Sequence, residues 1–397
     1  MTRHHIAFFL SCLAAFTAGH IVNYSVIMYA QEVLHSDLLA GIGFGLCFGP
    51  PLVLGWYAGV LCDRHSPVRI IHGAQIVFIL AALVMATADA YIADPAARAP
   101  YLLGAALLAG IGWSFVAPAR MTALKHVVDA DGLRRASLVF NLLVMLGFGL
   151  GPVAISVCRQ YLGWTAVFGL ATVLFVTGSI LLLGVVTQPS HRSHRPVVTE
   201  ILEGLRAVRA NPLIAQLLVT AIFGYMLMGP MQVILPKLAR TTLGLGELGR
   251  GAFLGTLAPA LIAGGIIAML IVKRLPHGKT IFIASASSGL LFALMGNVGT
   301  PLVAVALLAC VGMLGGIAIS LIVTGIQENV EENVRGRVLS MYTIISQVMP
   351  AISGMSAGVL THVTGAQHAV MICGSALVIF ALFNLCWMHR LRHYQGQ

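Results

Sequence analysis

Residues 59–69 read Gly-Val-Leu-Cys-Asp-Arg-His-Ser-Pro-Val-Arg, a short charged stretch between two long apolar segments. A glycine near the end of an apolar helix lets a second helix approach closely. Asp63 stands beside Arg64 and ahead of Arg69, so an acid–base pair can form or break here when helices move. The stretch indicates either an ordinary charged turn or a gate, and the rest of the chain has to decide between the two.

Composition places this stretch in a membrane protein. Of 397 residues, 58% are apolar and only 9% are charged, whereas a soluble domain carries roughly 25% charged residues. So few charges cannot cover a surface in water, which excludes a soluble enzyme, a disordered chain, a collagen-like chain and a disulfide scaffold. A multi-pass membrane protein remains, in which lipid replaces water around the helices.

Twelve apolar segments have the length of about 18–26 residues that crosses a bilayer. The first follows Arg3 and continues to Ala30, so we interpret it as an uncleaved span rather than a signal peptide. The predicted spans are 6–30, 39–61, 70–92, 101–122, 137–158, 164–186, 213–236, 251–272, 280–298, 302–325, 338–360 and 367–388.

The positions of Lys and Arg predict the orientation. With the N-terminus in the cytoplasm, most of the 23 Lys and Arg residues fall on the cytoplasmic side, as the positive-inside rule requires. Both termini are then cytoplasmic. The net charge of +10 follows from this topology, so we expect no nucleic-acid partner.

A polar stretch divides the chain into two halves. We predict an N-terminal six-helix bundle over 1–186, a cytoplasmic linker with an amphipathic helix over 187–212, and a C-terminal six-helix bundle over 213–397. The linker could also be a plain solvated connection. The loops that begin at Val128 and Val330 resemble each other, and parallel six-span repeats are a known transporter design with the substrate site between the halves.

Span 5 contains Gly147, Gly151 and Pro152. Glycines four residues apart make a smooth helix face, and the proline removes a backbone donor and bends the helix. The pattern fits tight helix packing alone, and it also fits a functional motif of a transporter.

Several of these stretches together resemble the major facilitator superfamily. The 59–69 stretch resembles its signature loop, and the Gly147, Gly151 and Pro152 pattern resembles its antiporter motif, which is associated with exporters. Pro118-Ala119-Arg120 and Val334-Arg335-Gly336-Arg337 are similar to the enterobactin-exporter-like branch, which includes siderophore and macrolide efflux proteins. The resemblance implies an all-α fold of twelve transmembrane helices in two six-helix pseudo-repeats. It also implies a cytoplasmic gate at Gly59, Asp63, Arg64, Arg69, Arg120, Arg335 and Arg337.

Polar residues inside spans are costly to bury and usually functional. Asp89 is the one acidic residue within a predicted span, near its outer end, and it is either interfacial or functional. His20 lies in the middle of span 1, and helical spacing puts Asn23 and Tyr24 near its face. His20 is either a packing histidine or a proton carrier. The resemblance implies an acidic residue after Gly19, which His20 replaces.

Aromatic and amide side chains in other spans suit a bulky amphiphilic solute. For each of them, packing or contact with lipid is an equal alternative. Together with His20, Asn23, Tyr24 and Asp89, the candidates for substrate contact or coupling are Trp113, Tyr225, Gln232, Tyr342 and Gln347.

The function we predict is secondary export of a small amphiphilic molecule, a siderophore, by proton-coupled alternating access in a bacterial inner membrane. A multidrug or macrolide efflux pump and a lysophospholipid flippase are alternatives on the same fold. A membrane sensor without transport and a membrane enzyme are more distant ones, since no catalytic set stands out. We expect a monomer in contact with membrane lipid, with no cofactor and no metal site. The seven cysteines are scattered among apolar segments.

Overall fold

The computed structural model describes residues 3–129, 132–188, 197–271 and 275–396. All regular elements in these residues are helical. They are α-helices, except for a short 3₁₀ helix at Ala96–Arg98. In chain order the helices are α1 (Arg3–Glu32), α2 (Asp37–Phe48), α3 (Pro51–Arg64), α4 (Pro67–Tyr91), α5 (Ala99–Val127), α6 (Leu133–Leu162), α7 (Trp164–Ile180), α8 (Val197–Ala210), α9 (Pro212–Met226), α10 (Met228–Thr241), α11 (Glu247–Gly255), α12 (Leu257–Ile271), α13 (His277–Met295), α14 (Pro301–Asn329), α15 (Glu332–Trp387) and α16 (His389–Arg392).

Length and hydropathy select ten helical segments that can cross a membrane in the described part of the chain. Each of the twelve predicted spans overlaps a helix. Two predicted spans share α15, which is broken at Gly365 with a φ of 81°. A further predicted span corresponds to α7, which is apolar but shorter than the ten segments.

Three predicted spans are interrupted rather than continuous. The second divides into α2 and α3 because Pro50 and Pro51 supply no backbone N–H donors. The seventh divides at Leu227 and the eighth at Thr256, so both are pairs of short helices. Gly163, between α6 and α7, also has a positive φ of 83° and occupies a place in the first half like that of Gly365 in the second.

The chain forms two compact units, which we call unit 1 (Met1–Ser193 and Leu245–Gly255) and unit 2 (His194–Gly244 and Thr256–Gln397). The domain boundaries predicted from the sequence, 1–186, 187–212 and 213–397, remain a prediction.

Helix α1 is the centre of unit 1. Its residues from Ala15 to Gln31 are buried on every side, as expected of a helix that is surrounded by other helices. Helices α2, α5, α6 and α7 of the same unit pack around it.

Helix α6 packs closely on two sides because both contacts use small residues. A Cβ at Gly147 would lie 2.8 Å from the backbone of Phe16, and one at Gly151 would lie 3.0 Å from the Cβ of His20, so this face touches α1. On the other side, a Cβ at Gly255 would lie 2.8 Å from the side chain of Val153. The motif glycines therefore position α1 at His20.

Unit 2 is closed on one side by the linker helix α8 and by the C-terminal segment. Glu203 of α8 pairs with Arg337 of α15 at 2.8 Å, and Val208 is buried in the core of the unit. The amphipathic helix predicted in the linker thus packs one face against α15.

The C-terminal segment after α15 packs against other helices of unit 2. Leu391 is fully buried and its N–H donates to Gln216 Oε1 at 2.7 Å. The Tyr394 hydroxyl donates to Glu328 Oε2 at 2.6 Å, and the Tyr394 carbonyl accepts from the Gly278 N–H at 3.0 Å. These contacts tie the segment to α9, α13 and α14.

Candidate functional site

The structure brings four of the predicted site residues together in the middle of unit 1. His20 of α1 is 7% exposed. The centre of its ring lies 5.3 Å from that of Trp113 and 5.2 Å from that of Phe148. Tyr24, one turn further along α1, also contacts Phe148, with ring centres 5.8 Å apart. Helices α1, α5 and α6 thus enclose His20 in aromatic rings.

Buried polar atoms without partners distinguish this place. Trp113 Nε1 donates to Asn23 Oδ1 at 3.2 Å. Among the described residues, neither ring nitrogen of His20, nor Asn23 Nδ2, nor Thr17 Oγ1 has a hydrogen-bond partner. A buried polar group without a partner is unfavourable, and native proteins retain few of them. These four atoms, which belong to His20, Asn23 and Thr17, can therefore form hydrogen bonds with a ligand or with water.

Gly19 is needed for this arrangement. A Cβ at Gly19 would lie 2.6 Å from Cζ2 of Trp113. Any larger residue would push the indole away from Asn23, and the glycine before His20 is therefore a packing requirement of the site.

Two further predicted residues meet in unit 2. The hydroxyl groups of Tyr225 and Tyr342 lie 2.7 Å apart and share a hydrogen bond. They border an apolar recess of about 540 Å³, including the space open to solvent. Most of the residues that line the recess are apolar. They include Leu227, Met228, Met231, Leu261, Val311 and Ile322.

The two predicted glutamines do not line this recess. Gln232 is buried, and its Nε2 donates to the Met228 carbonyl at 3.4 Å while its Oε1 has no partner among the described residues. Gln347 is half-buried in α15. The role of Gln232 and Gln347 in substrate binding therefore stays a prediction.

Asp89 lies apart from His20, at the C-terminal end of α4. Its Oδ1 accepts from the Tyr29 hydroxyl at 2.9 Å and from Arg98 at 3.1 Å, and its Oδ2 accepts from Thr165 at 2.8 Å. A carboxylate with three donors is well satisfied. The observed contacts are those of a group that ties α1, α4 and α7 together.

The predicted gate residues occupy different environments. Arg64 and Arg69 are exposed at the ends of α3 and α4. Gly59 and Asp63 lie on α3, but their side-chain positions lie outside the described residues. Arg335 donates to the Val330 carbonyl at 3.3 Å, and Arg337 pairs with Glu203.

Arg120 differs from the other gate candidates. It was predicted at the end of the span 101–122, whereas α5 continues to Val127. Arg120 is 0% exposed and contacts Ser11 and Cys12 of α1, so it lies inside the helix bundle of unit 1.

The sequence analysis missed a group of four charges at the end of α1. Glu32 forms ion pairs with Arg159 and Arg250, and Glu247 pairs with the same two arginines. The Glu32 side chain is only 8% exposed. Its helix was predicted to end at residue 30, two residues too early, so Glu32 was assigned to a loop and Asp89 was taken as the one acid in a span. We call Glu32, Arg159, Glu247 and Arg250 the Glu32 charge cluster.

The described residues contain no group of three His, Cys, Asp or Glu side chains that could hold a metal ion.

Comparison with known proteins places this geometry in a family. The model of the Major Facilitator Superfamily matches residues 6–354. The enterobactin exporter EntS of Escherichia coli (strain K12) is 25% identical over 409 residues, covering 100% of this chain and 95% of that protein. The enterobactin exporter EntS of Salmonella typhimurium is 25% identical over 406 residues with the same coverage.

Solved structures resemble this chain in fold. A POT family transporter in complex with 5-aminolevulinic acid has a TM-score of 0.79 at 12% identity, covering 98% of this chain and 97% of that one. A D-xylose-proton symporter has a TM-score of 0.77 at 13% identity, with 98% and 97% covered. At such low identity these similarities concern the fold alone.

Proposed function

Because the chain belongs to the Major Facilitator Superfamily, it is a multi-pass secondary transporter, and we propose that it exports a siderophore in exchange for protons. The proposed place is the inner membrane of a bacterium, with both termini in the cytoplasm. The distant likeness to enterobactin exporters along the whole chain supports export and the substrate class.

The observation that carries this proposal is the set of unpaired polar atoms at His20, Asn23 and Thr17 beside Trp113. Neutral hydrogen-bonding groups next to aromatic rings suit an amphiphilic solute, whose polar groups would take the vacant hydrogen bonds. Specificity then follows from polar groups that are left unpaired when the wrong solute binds.

Each unit has its own proposed part. Unit 1 offers directed hydrogen bonds at His20 and Asn23. Unit 2 offers the apolar recess, in which Tyr225 and Tyr342 supply hydroxyl groups at one edge. On the cytoplasmic side, Asp63, Arg64 and Arg69 would stabilise the outward-open state of the alternating-access cycle.

His20 is the proposed coupling residue. Histidine is the side chain whose charge ordinarily changes near neutral pH, and the acid-poor interior leaves few other proton carriers. Binding of solute from one side and of a proton from the other would alternate at this residue during antiport.

The substrate class is tested by deleting the gene and growing the strain under iron limitation. Culture supernatants and cell extracts are compared by mass spectrometry. We expect an iron-chelating metabolite to fall outside the cell and to rise inside it, with recovery when the wild-type gene is restored. Unchanged secretion, together with increased sensitivity to drugs or with altered lysophospholipids, would replace the siderophore by the corresponding alternative substrate.

The coupling residue is tested in the same strain with His20→Gln. Secretion is followed as the external pH is varied from about 5.5 to 8, the range in which histidine titrates. We expect the pH dependence to disappear in His20→Gln and to persist in His368→Gln, an exposed histidine in unit 2. An unchanged profile with full activity in His20→Gln would refute the role of His20.

A further inference from the structure

Four polar residues meet in unit 1 where α1, α4 and α5 pack together. Arg120 donates to Cys12 Sγ through Nη1 and to Ser11 Oγ through Nη2, both at 3.2 Å. Gln75 of α4 is 0% exposed and lies beside Ser11, since a Cβ at Gly178 would lie 3.3 Å from Gln75 Nε2 and 3.6 Å from Ser11 Oγ. Its Oε1 accepts from the hydroxyl of Ser179. We call Ser11, Cys12, Gln75 and Arg120 the donor cluster.

The atoms of this cluster that lack partners are all donors. Within the described residues, Arg120 Nε and Gln75 Nε2 have no hydrogen-bond partner. The Ser11 hydroxyl donates its own hydrogen to the Gly178 carbonyl at 2.6 Å, so it cannot serve as a further donor. These two donors therefore require a hydrogen-bond acceptor that the donor cluster does not supply.

The buried positive charge of Arg120 also requires a negatively charged partner. Arginine stays protonated in proteins, and Arg120 is 0% exposed. No carboxylate in the part of the chain that the structure describes forms an ion pair with it. A buried charge without a counter-charge is strongly unfavourable, and arginines inside membrane bundles normally face a partner of opposite charge or a substrate path.

An aromatic ring completes the environment. The guanidinium of Arg120 lies 5.8 Å from the centre of the Phe16 ring, and Phe16 is stacked on Trp113 with ring centres 6.2 Å apart. Trp113 in turn contacts His20. The donor cluster is thus connected through two rings to the polar atoms at His20.

We propose that the donor cluster binds the carboxylate, or an equivalent oxyanion, of an aromatic solute. Arg120 supplies the charge and Gln75 a second donor, and the ring of the solute would lie beside the aromatic side chains of Phe16 and Trp113. The inference rests on the proposed export function and narrows its substrate to an aromatic acid. It gives Arg120 a role in recognition, which differs from that of a cytoplasmic gate.

Binding is tested by thermal unfolding of the purified full-length protein in detergent with three probes. Salicylate is an aromatic carboxylate, salicylamide is its neutral counterpart, and sulfate is an oxyanion without a ring. We expect salicylate alone to raise the Tm of the wild type. Equal effects of salicylate and salicylamide would overturn the role of charge, and an equal effect of sulfate would show a site for a free inorganic anion instead of the solute.

Variants separate recognition from a structural role. Arg120→Lys keeps the charge but loses the planar guanidinium, and we expect about tenfold weaker salicylate binding. Arg120→Met and Gln75→Met should lose the response, while Arg135→Met, at an exposed arginine of the same unit, should retain it. A full response in Gln75→Met would remove that residue from the site.

The Tm without a probe gives a readout that a structural arginine would not produce. Removal of an unpaired buried charge should leave Arg120→Met at least as stable as the wild type. A lower Tm in Arg120→Met would mean that Arg120 supports the fold, and the proposal would fail. This binding test requires no transported siderophore, so unchanged siderophore secretion in the deletion strain would refute the export proposal alone.

Discussion

Unit 1 buries charge, whereas unit 2 keeps its charges near the edge. Arg120 and Arg250 of unit 1 are 0% and 4% exposed. In unit 2, the ion pair of Arg337 with Glu203 has side chains that are 24% and 31% exposed. Unit 2 contains the apolar recess, which one pair of tyrosines borders.

The difference indicates a division of labour. A buried charge is favourable only with a matching partner, so unit 1 should respond strongly to single changes and discriminate between ligands. An apolar recess tolerates substitution because its contacts are small and many. Unit 2 should therefore contribute affinity for apolar surface and respond weakly to polar changes.

The largest effect is expected in the Glu32 charge cluster. Glu32→Gln leaves Arg159 and Arg250 with one carboxylate of the cluster, that of Glu247. Loss of one member of a buried ion pair lowers the free energy of unfolding by about 3 kcal/mol. Chemical unfolding in detergent measures it, with Asp94→Asn at an exposed aspartate as the control. A loss no larger than that of the control would mean that unit 1 does not depend on its charges.

The contact between α1 and α6 gives the next effect. Gly147→Leu places a side chain against the Phe16 backbone, and overpacking of this kind lowers stability by about 2 kcal/mol. It should also displace His20 and reduce export. Gly169→Leu is the matched control, because a Cβ at Gly169 meets nothing within 4 Å. If both variants behave alike, the glycines of α6 are not needed to position α1.

A smaller effect is expected at the edge of unit 2. Tyr394→Phe removes a hydrogen bond to Glu328, worth about 1.5 kcal/mol because the acceptor is a carboxylate.

The pH dependence of this contact has a defined sign. Burial, and then the neighbouring Glu328, raise the pKa of Tyr394 above its ordinary value of 10.0. Its contribution is therefore complete below pH 10.0 and is lost as the pH rises above that value, because the unfolded chain ionises first. The difference in Tm between wild type and Tyr394→Phe should shrink over this range, and a constant difference would contradict the assignment.

The smallest effect is expected inside the recess of unit 2. Tyr225→Phe and Tyr342→Phe each remove one neutral hydrogen bond, worth about 1 kcal/mol. In a double-mutant cycle the two changes should be coupled, and export should fall less than in His20→Gln. Tyr161→Phe at a largely exposed tyrosine provides the control. Export that is abolished by either change would reverse the comparison between the units.

Much of the fold could be predicted from the sequence because bilayer thickness dictates the length of the apolar segments. Each of the twelve predicted segments overlaps a helix, but ten segments of the described residues are long and apolar enough to cross a membrane. Hydropathy also did not locate the helix ends. The two residues added to α1 bring Glu32 into a helix, and the five added to α5 place Arg120 well before the end of its helix. Helix ends depend on packing and on local hydrogen bonds, which hydropathy does not register.

Less of the site could be predicted. Helical periodicity placed Asn23 and Tyr24 near His20, since all three share one helix. It could not show that Trp113 of α5 forms a hydrogen bond with Asn23, nor that Asp89 accepts a hydrogen bond from Arg98. Such contacts join residues that are distant in the chain, and only the packed structure reveals them.

Cys12, whose thiol contacts Arg120, can also serve as a native probe of helix movement in unit 1. A thiol reacts with a maleimide only when the reagent reaches it, and Cys12 is fully buried. Any movement that draws α1 away from α5 exposes it, so the alkylation rate of this native cysteine records how often the bundle opens. Cys386 is exposed and supplies an internal reference in the same molecule.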